Sequence, residues 1–175
     1  MVKKILLGLM AAIVLLLVFA ATRPDTFRVE RSITIKAAPD KVFALLNDFR
    51  QFPSWSPWQD LDPAMKVIHS GATSGQGAIY EWAGNSAVGA GRMEILTTEP
   101  ATRVQVKLDF LQPFEGHNTS EYTLAAAGDS TTVTWAMFGP SPYVSKVMGI
   151  FVSMDSMIGK DFERGLAKLK AVAEK

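Results

Sequence analysis

A chain of 175 residues, 48% of them hydrophobic and 20% charged, is long enough for one well-packed domain and short for two. Lys3 and Lys4 are the only charges before Arg23, and the remainder carries 16 basic and 17 acidic side chains, a balance that leaves no electrostatic footprint for nucleic acid. The absence of cysteine removes disulfides, thiol catalysis and thiolate metal sites together.

Ile5 to Ala21 is a run of 17 residues without a charge or strongly polar group, between Lys3-Lys4 and Arg23-Pro24. As a helix it spans roughly 26 Å, enough for a short transmembrane segment. Val18-Phe19-Ala20 also offers a signal-peptidase site, so a cleaved secretory signal is the alternative, although the run exceeds the usual apolar core of about 7 to 15 residues. The chain therefore divides into an anchor or signal over 1–23 and a domain over 24–175. Either way the two lysines hold the N-terminus in the cytoplasm and the domain is extracytoplasmic, as a single-pass membrane protein or, after cleavage, a secreted or periplasmic one.

Beyond Pro24 the pattern changes to alternation. Phe27, Val29, Ile33 and Ile35 alternate with polar residues, which predicts a strand with one wet face, and only Arg31 breaks the inner row. Ala38-Pro39-Asp40 opens a helix through about Asn47, and a second short helical turn covers Asp48 to Phe52. Ser54-Trp55-Ser56-Pro57-Trp58 is a proline-broken loop. Six more strands are expected over 65–70, 78–83, 88–98, 102–111, 118–126 and 131–138, joined by turns short enough for hairpins. They form an antiparallel meander that needs a cover on one face. The last segment supplies it: Val144, Val147, Phe151, Met154, Ile158, Phe162, Gly165, Leu169 and Val172 share one side of a single helix from Val144 to Val172, bent near Met154.

Inward rows follow from the period of two: Ala78, Tyr80 and Trp82; Val104, Val106, Leu108 and Phe110; Val133, Trp135 and Met137. The small aliphatics are core. Tyr80, Trp82, Phe110 and Trp135 serve either as core or as the wall of a pocket, because a buried Trp or Tyr needs a polar partner. Met154 and Met157, with Met148, suit either gap-filling or a surface that adapts to apolar ligands, Phe162 lies on the same helical stripe, and Trp55 and Trp58 either cap the sheet or line an entrance. His69 and His117 lack an acidic or hydroxyl partner at a triad spacing and are read as surface or turn residues. No metal-binding motif and no cofactor cradle is present in the sequence, and the glycines of 71–77 precede a strand, where a phosphate loop would precede a helix.

This order of elements, with Ala37-Ala38-Pro39-Asp40-Lys41-Val42-Phe43, Phe52-Pro53-Ser54-Trp55-Ser56-Pro57-Trp58, Gly75-Gln76-Gly77-Ala78-Ile79-Tyr80-Glu81-Trp82, Thr132-Val133-Thr134-Trp135 and Met157-Ile158-Gly159-Lys160-Asp161-Phe162-Glu163-Arg164-Gly165-Leu166, resembles the START-like SRPBCC superfamily. Within it the chain resembles the polyketide cyclase/dehydrase and lipid-transport group, over about Thr26 to Lys175. The resemblance implies an α+β helix-grip fold: a seven-stranded antiparallel sheet around a long C-terminal helix, with two short helices after the first strand. Joined to the anchor, it implies a membrane-held domain that binds a small hydrophobic or amphipathic ligand, such as a lipid, isoprenoid or polyketide-like molecule. Trp55, Trp58, Tyr80, Trp82, Phe110, Trp135, Met154, Met157 and Phe162 are the candidate ligand contacts, and the loop 53–58 with the hinge at 140–145 is the candidate gate. Two alternatives stand beside it. A cyclase or dehydratase would place Tyr80, Arg31, Glu81 or His117 inside the cavity, and a non-binding interaction module would have a filled core.

Overall fold

The computed structural model describes residues 2–175. Helix α1, Val2–Ala21, has 20 residues and is long and apolar enough to cross a membrane; its residues 2–15 are exposed along their whole length. Four residues separate it from the first strand. The elements then run β1 (Thr26–Ile35), α2 (Pro39–Leu46), α3 (Phe52–Trp55), β2 (Lys66–Gly71), β3 (Ala78–Ala83), β4 (Ala90–Glu99), β5 (Arg103–Gln112), β6 (Gly116–Ala127), β7 (Ser130–Pro140), α4 (Tyr143–Met148) and α5 (Met154–Ala173).

The seven strands form one antiparallel sheet in the order β1-β7-β6-β5-β4-β3-β2. It is a meander apart from β1, which closes on β7 because the helices that follow β1 carry the chain to the far edge. The expected inner rows are the buried ones: Val104 and Val133 are fully buried, and Tyr80, Val106, Trp135 and Met137 nearly so. Helix α5 lies across this face and buries Phe162, Gly165, Leu166, Leu169 and Ala173. The sheet, the two short helices and the C-terminal helix are thus the helix-grip arrangement.

Arg31, the odd residue of the inner β1 row, ties strand to helix. Its guanidinium donates to Asp155 at 2.7 Å and to Glu163 at 2.7 Å, two carboxylates on α5. The Arg31 bond holds the Asp155 carboxyl below the ordinary carboxylate range. At the other end of the helix, Glu174 accepts the Lys36 backbone N–H, and Lys170 donates to the Thr34 carbonyl. Helix α5 is therefore fastened along β1 at both ends.

The single helix expected over 144–172 is corrected to two. Gly149 closes α4, and Ser153 caps α5 with its hydroxyl accepting the Ser156 N–H at 3.1 Å, so the backbone restarts a helix where a bend was expected. The change redirects half of the stripe. Val144 and Phe151 are exposed, while Phe162, Gly165 and Leu169 face the sheet as expected. The α4 segment packs against α1, with the Tyr143 hydroxyl donating to the Leu17 carbonyl at 2.8 Å.

Candidate functional site

Between sheet and α5 lies a cavity of about 80 Å³. Of the expected contacts it brings together Trp58, Tyr80, Trp82, Phe110, Trp135 and Phe162. Their positions follow from the pleat: alternate residues of β3, β5 and β7 point the same way, and Phe162 comes down on them from the helix. The Phe162 ring stacks on Trp135 with centroids 4.1 Å apart and planes 5° apart. Trp82 meets Phe110 edge-on at 6.0 Å, and Trp58 meets Trp135 edge-on at 5.8 Å.

Three expected contacts sit elsewhere. Trp55 is buried behind the wall, its indole N–H donating to the Leu45 carbonyl at 3.2 Å and its ring against Tyr122 and Trp135. Met154 packs on the edge of the core. Met157 is 58% exposed, because its place in the turn of α5 lies to the side of the stripe formed by Ile158, Phe162, Gly165 and Leu169. The methionines that do line the cavity are Met65, Met93 and Met137, together with Phe52, Leu108, Tyr122 and Ile158. Met137 is one of the expected inward strand positions, and Met93 alternates along β4 with the polar Arg92 and Glu94. Met65 and Val88, expected as the first residues of the strands over 65–70 and 88–98, lie instead just before β2 and in the turn before β4, and reach the cavity from there.

Glycines shape this wall. Gly165 lets Trp135 and Pro57 close on α5: a methyl group at that position would stand 2.7 Å from Trp135 Cζ3 and 3.1 Å from Pro57 Cδ. The missing side chain serves close packing against an aromatic ring and the loop after α3; the short helix expected over 48–52 lies instead at 52–55, so the expected 53–58 loop begins only at Ser56. That loop is also pinned by Lys168, which donates to the Ser56 carbonyl at 3.0 Å and pairs with Asp60 at 2.9 Å.

The polar side-chain groups of the cavity are the hydroxyls of Ser56, Tyr80, Ser120 and Tyr122 and the indole N–H groups of its tryptophans. Ser120 is buried and accepts the Trp135 indole N–H at 2.9 Å, and Trp82 donates to the Val88 carbonyl at 3.1 Å. The Tyr80 hydroxyl is buried and, among the described residues, has no hydrogen-bond partner. Burial pushes its pKa up to about 12, so it stays a neutral donor at physiological pH. Burial also raises Tyr122, against a smaller opposing effect of its hydrogen bond to Ser120. Both tyrosines hold their protons in the folded chain at a pH where the unfolded chain releases them. Stability is therefore expected to be complete below about pH 10 and to fall as pH rises towards 12, with tyrosinate absorbance appearing together with unfolding. Because Tyr143 is exposed, the absorbance is read in a Tyr143→Phe background, where tyrosinate forming near pH 10 in a still-folded chain would contradict the burial of Tyr80 and Tyr122.

The other candidates for chemistry lie outside. Arg31 is committed to Asp155 and Glu163, and Glu81 is exposed. His117 lies on the outer face but does have an acidic partner, since the β5–β6 register sets Asp109 opposite it and the ring nitrogen meets the carboxylate at 2.8 Å. Spacing in the sequence did not show this pair because its members are on different strands. Desolvation raises the Asp109 carboxyl, but Lys107 at 2.8 Å and His117 outweigh it and hold it below the usual range. No carboxylate, imidazole or amine lines the cavity, and among the described residues no group of three or more His, Asp or Glu side chains is placed to hold a metal ion.

A sheet gripping a helix around an apolar, hydroxyl-bearing cavity defines a helix-grip domain. The family model described as polyketide cyclase / dehydrase and lipid transport matches residues 26–174, and the chain belongs to that family. No curated protein matches it. Among solved structures it is similar to the Chromobacterium violaceum protein CV1439, with 18% identity, a TM-score of 0.59, and coverage of 87% of this chain and 99% of that one. It is also similar to Ara h 8.0201, with 12% identity, a TM-score of 0.56, and 85% and 97% coverage. The di-domain ARO/CYC StfQ of the steffimycin biosynthetic pathway gives 12% identity and a TM-score of 0.63, over 85% of this chain and 51% of that one. At these identities the likeness is one of fold.

Proposed function

We propose that residues 24–175 bind a small apolar or amphipathic molecule, of lipid, isoprenoid or polyketide type, and that residues 1–23 hold the domain at a membrane, with the N-terminus in the cytoplasm and the domain outside it. The observation that carries the reading is the apolar cavity with one buried, unpartnered hydroxyl, that of Tyr80. A buried donor without an acceptor costs about 1–3 kcal/mol, which a ligand oxygen would recover. The family description, which includes lipid transport, agrees with it.

The cavity of about 80 Å³ is smaller than the roughly 300–1,000 Å³ of ligand sites, so a ligand of lipid size must widen it. Its wall suits that. Met65, Met93 and Met137 change rotamer at low cost, and half-buried Trp58 stands on the loop that Lys168 pins to α5. Burial of the ligand's apolar surface then supplies affinity at roughly 25 cal/mol per Å². A lining of hydroxyls and indoles favours binding over cyclase or dehydratase chemistry, which would need an acid–base pair tuned for proton transfer.

Native mass spectrometry of the full chain, released from detergent after purification from cells, tests the proposal. The expected result is a reproducible apolar adduct on the wild type that is lost from Met93→Trp, which fills the cavity, and weakened in Tyr80→Phe. An adduct of equal occupancy in Met93→Trp, or none from any expression host, would sink the reading.

A further inference from the structure

One end of the sheet carries an unpartnered apolar surface. The register places the start of β1, the end of β7 and the β5–β6 hairpin at that end: Thr26 faces Pro140, Thr119 faces Phe138, and Phe110 faces Gly116. Two segments there expose large apolar side chains. Leu111 and Phe114 project from the hairpin, Phe114 at 80% exposure, and Met148, Phe151 and Val152 project from the end of α4 and the connection to α5, Phe151 at 72%. Exposed apolar groups clustered at one end, on two separate segments, mark a contact surface.

The chain path identifies the occupant. Only residues 22–25 separate α1 from β1, a link that spans at most about 18 Å even when extended. The link is not free to extend. The Asp25 carbonyl accepts the Ser141 N–H at 2.7 Å, the Asp25 carboxylate pairs with Lys146 of α4, and Tyr143 is bonded to Leu17 of α1. With α1 in a bilayer, this end of the domain lies against the same bilayer, leaving no room for a soluble partner beneath it.

Resting on the anchor reading above, we infer that the β5–β6 hairpin and the α4–α5 connection together form a seat that inserts into the lipid interface, with Phe114 and Phe151 as its two points. The seat adjoins the cavity. Phe110, a cavity wall, immediately precedes Leu111 in β5, and Trp82, near the end of β3, and Val88, in the β3–β4 turn, approach at the same end. A ligand taken from the bilayer would pass along an apolar surface into the cavity without crossing water.

The chain has no cysteine, so single nitroxide labels report unique positions. Full-length Phe114→Cys, Phe151→Cys, Ile13→Cys and Asp129→Cys variants would be reconstituted in phosphatidylcholine vesicles. Accessibility to oxygen and to a water-soluble nickel chelate is then measured at each label. Asp129 lies in the β6–β7 turn at the opposite end of the sheet and is the aqueous reference. The expected result is a several-fold higher oxygen-to-nickel ratio at 114 and at 151 than at 129. An aqueous reading at either position overturns the seat. The label at 13 decides the anchor separately: lipid exposure at 13 with aqueous 114 or 151 rejects the seat alone, whereas an aqueous 13 rejects the anchor.

Discussion

Phe162→Ala is expected to destabilise the protein by about 3–5 kcal/mol, the cost of truncating a fully buried aromatic ring. The upper part of that range applies because the hole cannot easily collapse. Phe162 is 1% exposed and lies flat on Trp135 at 4.1 Å, and Trp135 is itself held by its bond to Ser120, so the indole cannot move into the vacated space. The new void also joins the existing cavity, of which Phe162 is a wall. Urea unfolding of the detergent-solubilised full chain, followed by tryptophan fluorescence, measures the loss; Phe162→Leu should recover most of it. A shift under about 1 kcal/mol would mean that α5 settles onto the sheet and that the grip is looser than the stacked geometry implies.

Gly91→Val carries the second large effect, by overpacking. Trp82 on β3 and Phe110 on β5 are the cross-strand neighbours of Gly91, and the Trp82 ring lies over it. A side chain there would start 2.5 Å from the Asp109 carbonyl oxygen and closer still to the Trp82 ring. Neither yields cheaply, since one is backbone of the adjacent strand and the other is tied by its indole N–H to Val88. The expected loss is about 1–3 kcal/mol or more. Near-ultraviolet circular dichroism should change as Trp82 leaves the cavity wall. An unchanged spectrum with unchanged stability would show that the strand can slide at the irregularity between Ala90 and Gly91.

Seven strands, their order along the chain and the inward rows through Tyr80, Phe110 and Trp135 were legible because each strand has one wet and one dry face, and the period of two records which is which. Of the six candidate contacts that line the cavity, Tyr80, Trp82, Phe110 and Trp135 follow from that period, Phe162 from the helical stripe, and Trp58 stands on a loop where no period applies. The same logic failed in the stripe from Val144 to Phe151, where the apolar period of a helix continues through Gly149–Ser153 but the backbone does not. Periodicity reports that a face is apolar. It does not report what covers it: α4 packs on α1 and its neighbouring apolar residues stay exposed, while α5 packs on the sheet.

The sequence by itself determined the seven strands, the dry face of the sheet and the absence of thiol chemistry, since these depend on residue type and local period. Tertiary structure decided the rest: which aromatics line the cavity and which stand behind it, that Tyr80 keeps an unpartnered hydroxyl, that Arg31 fastens β1 to α5, and that Asp109 meets His117. Each of those depends on the register between strands and on where one helix stops and the next restarts, distances set by packing between segments far apart in the chain.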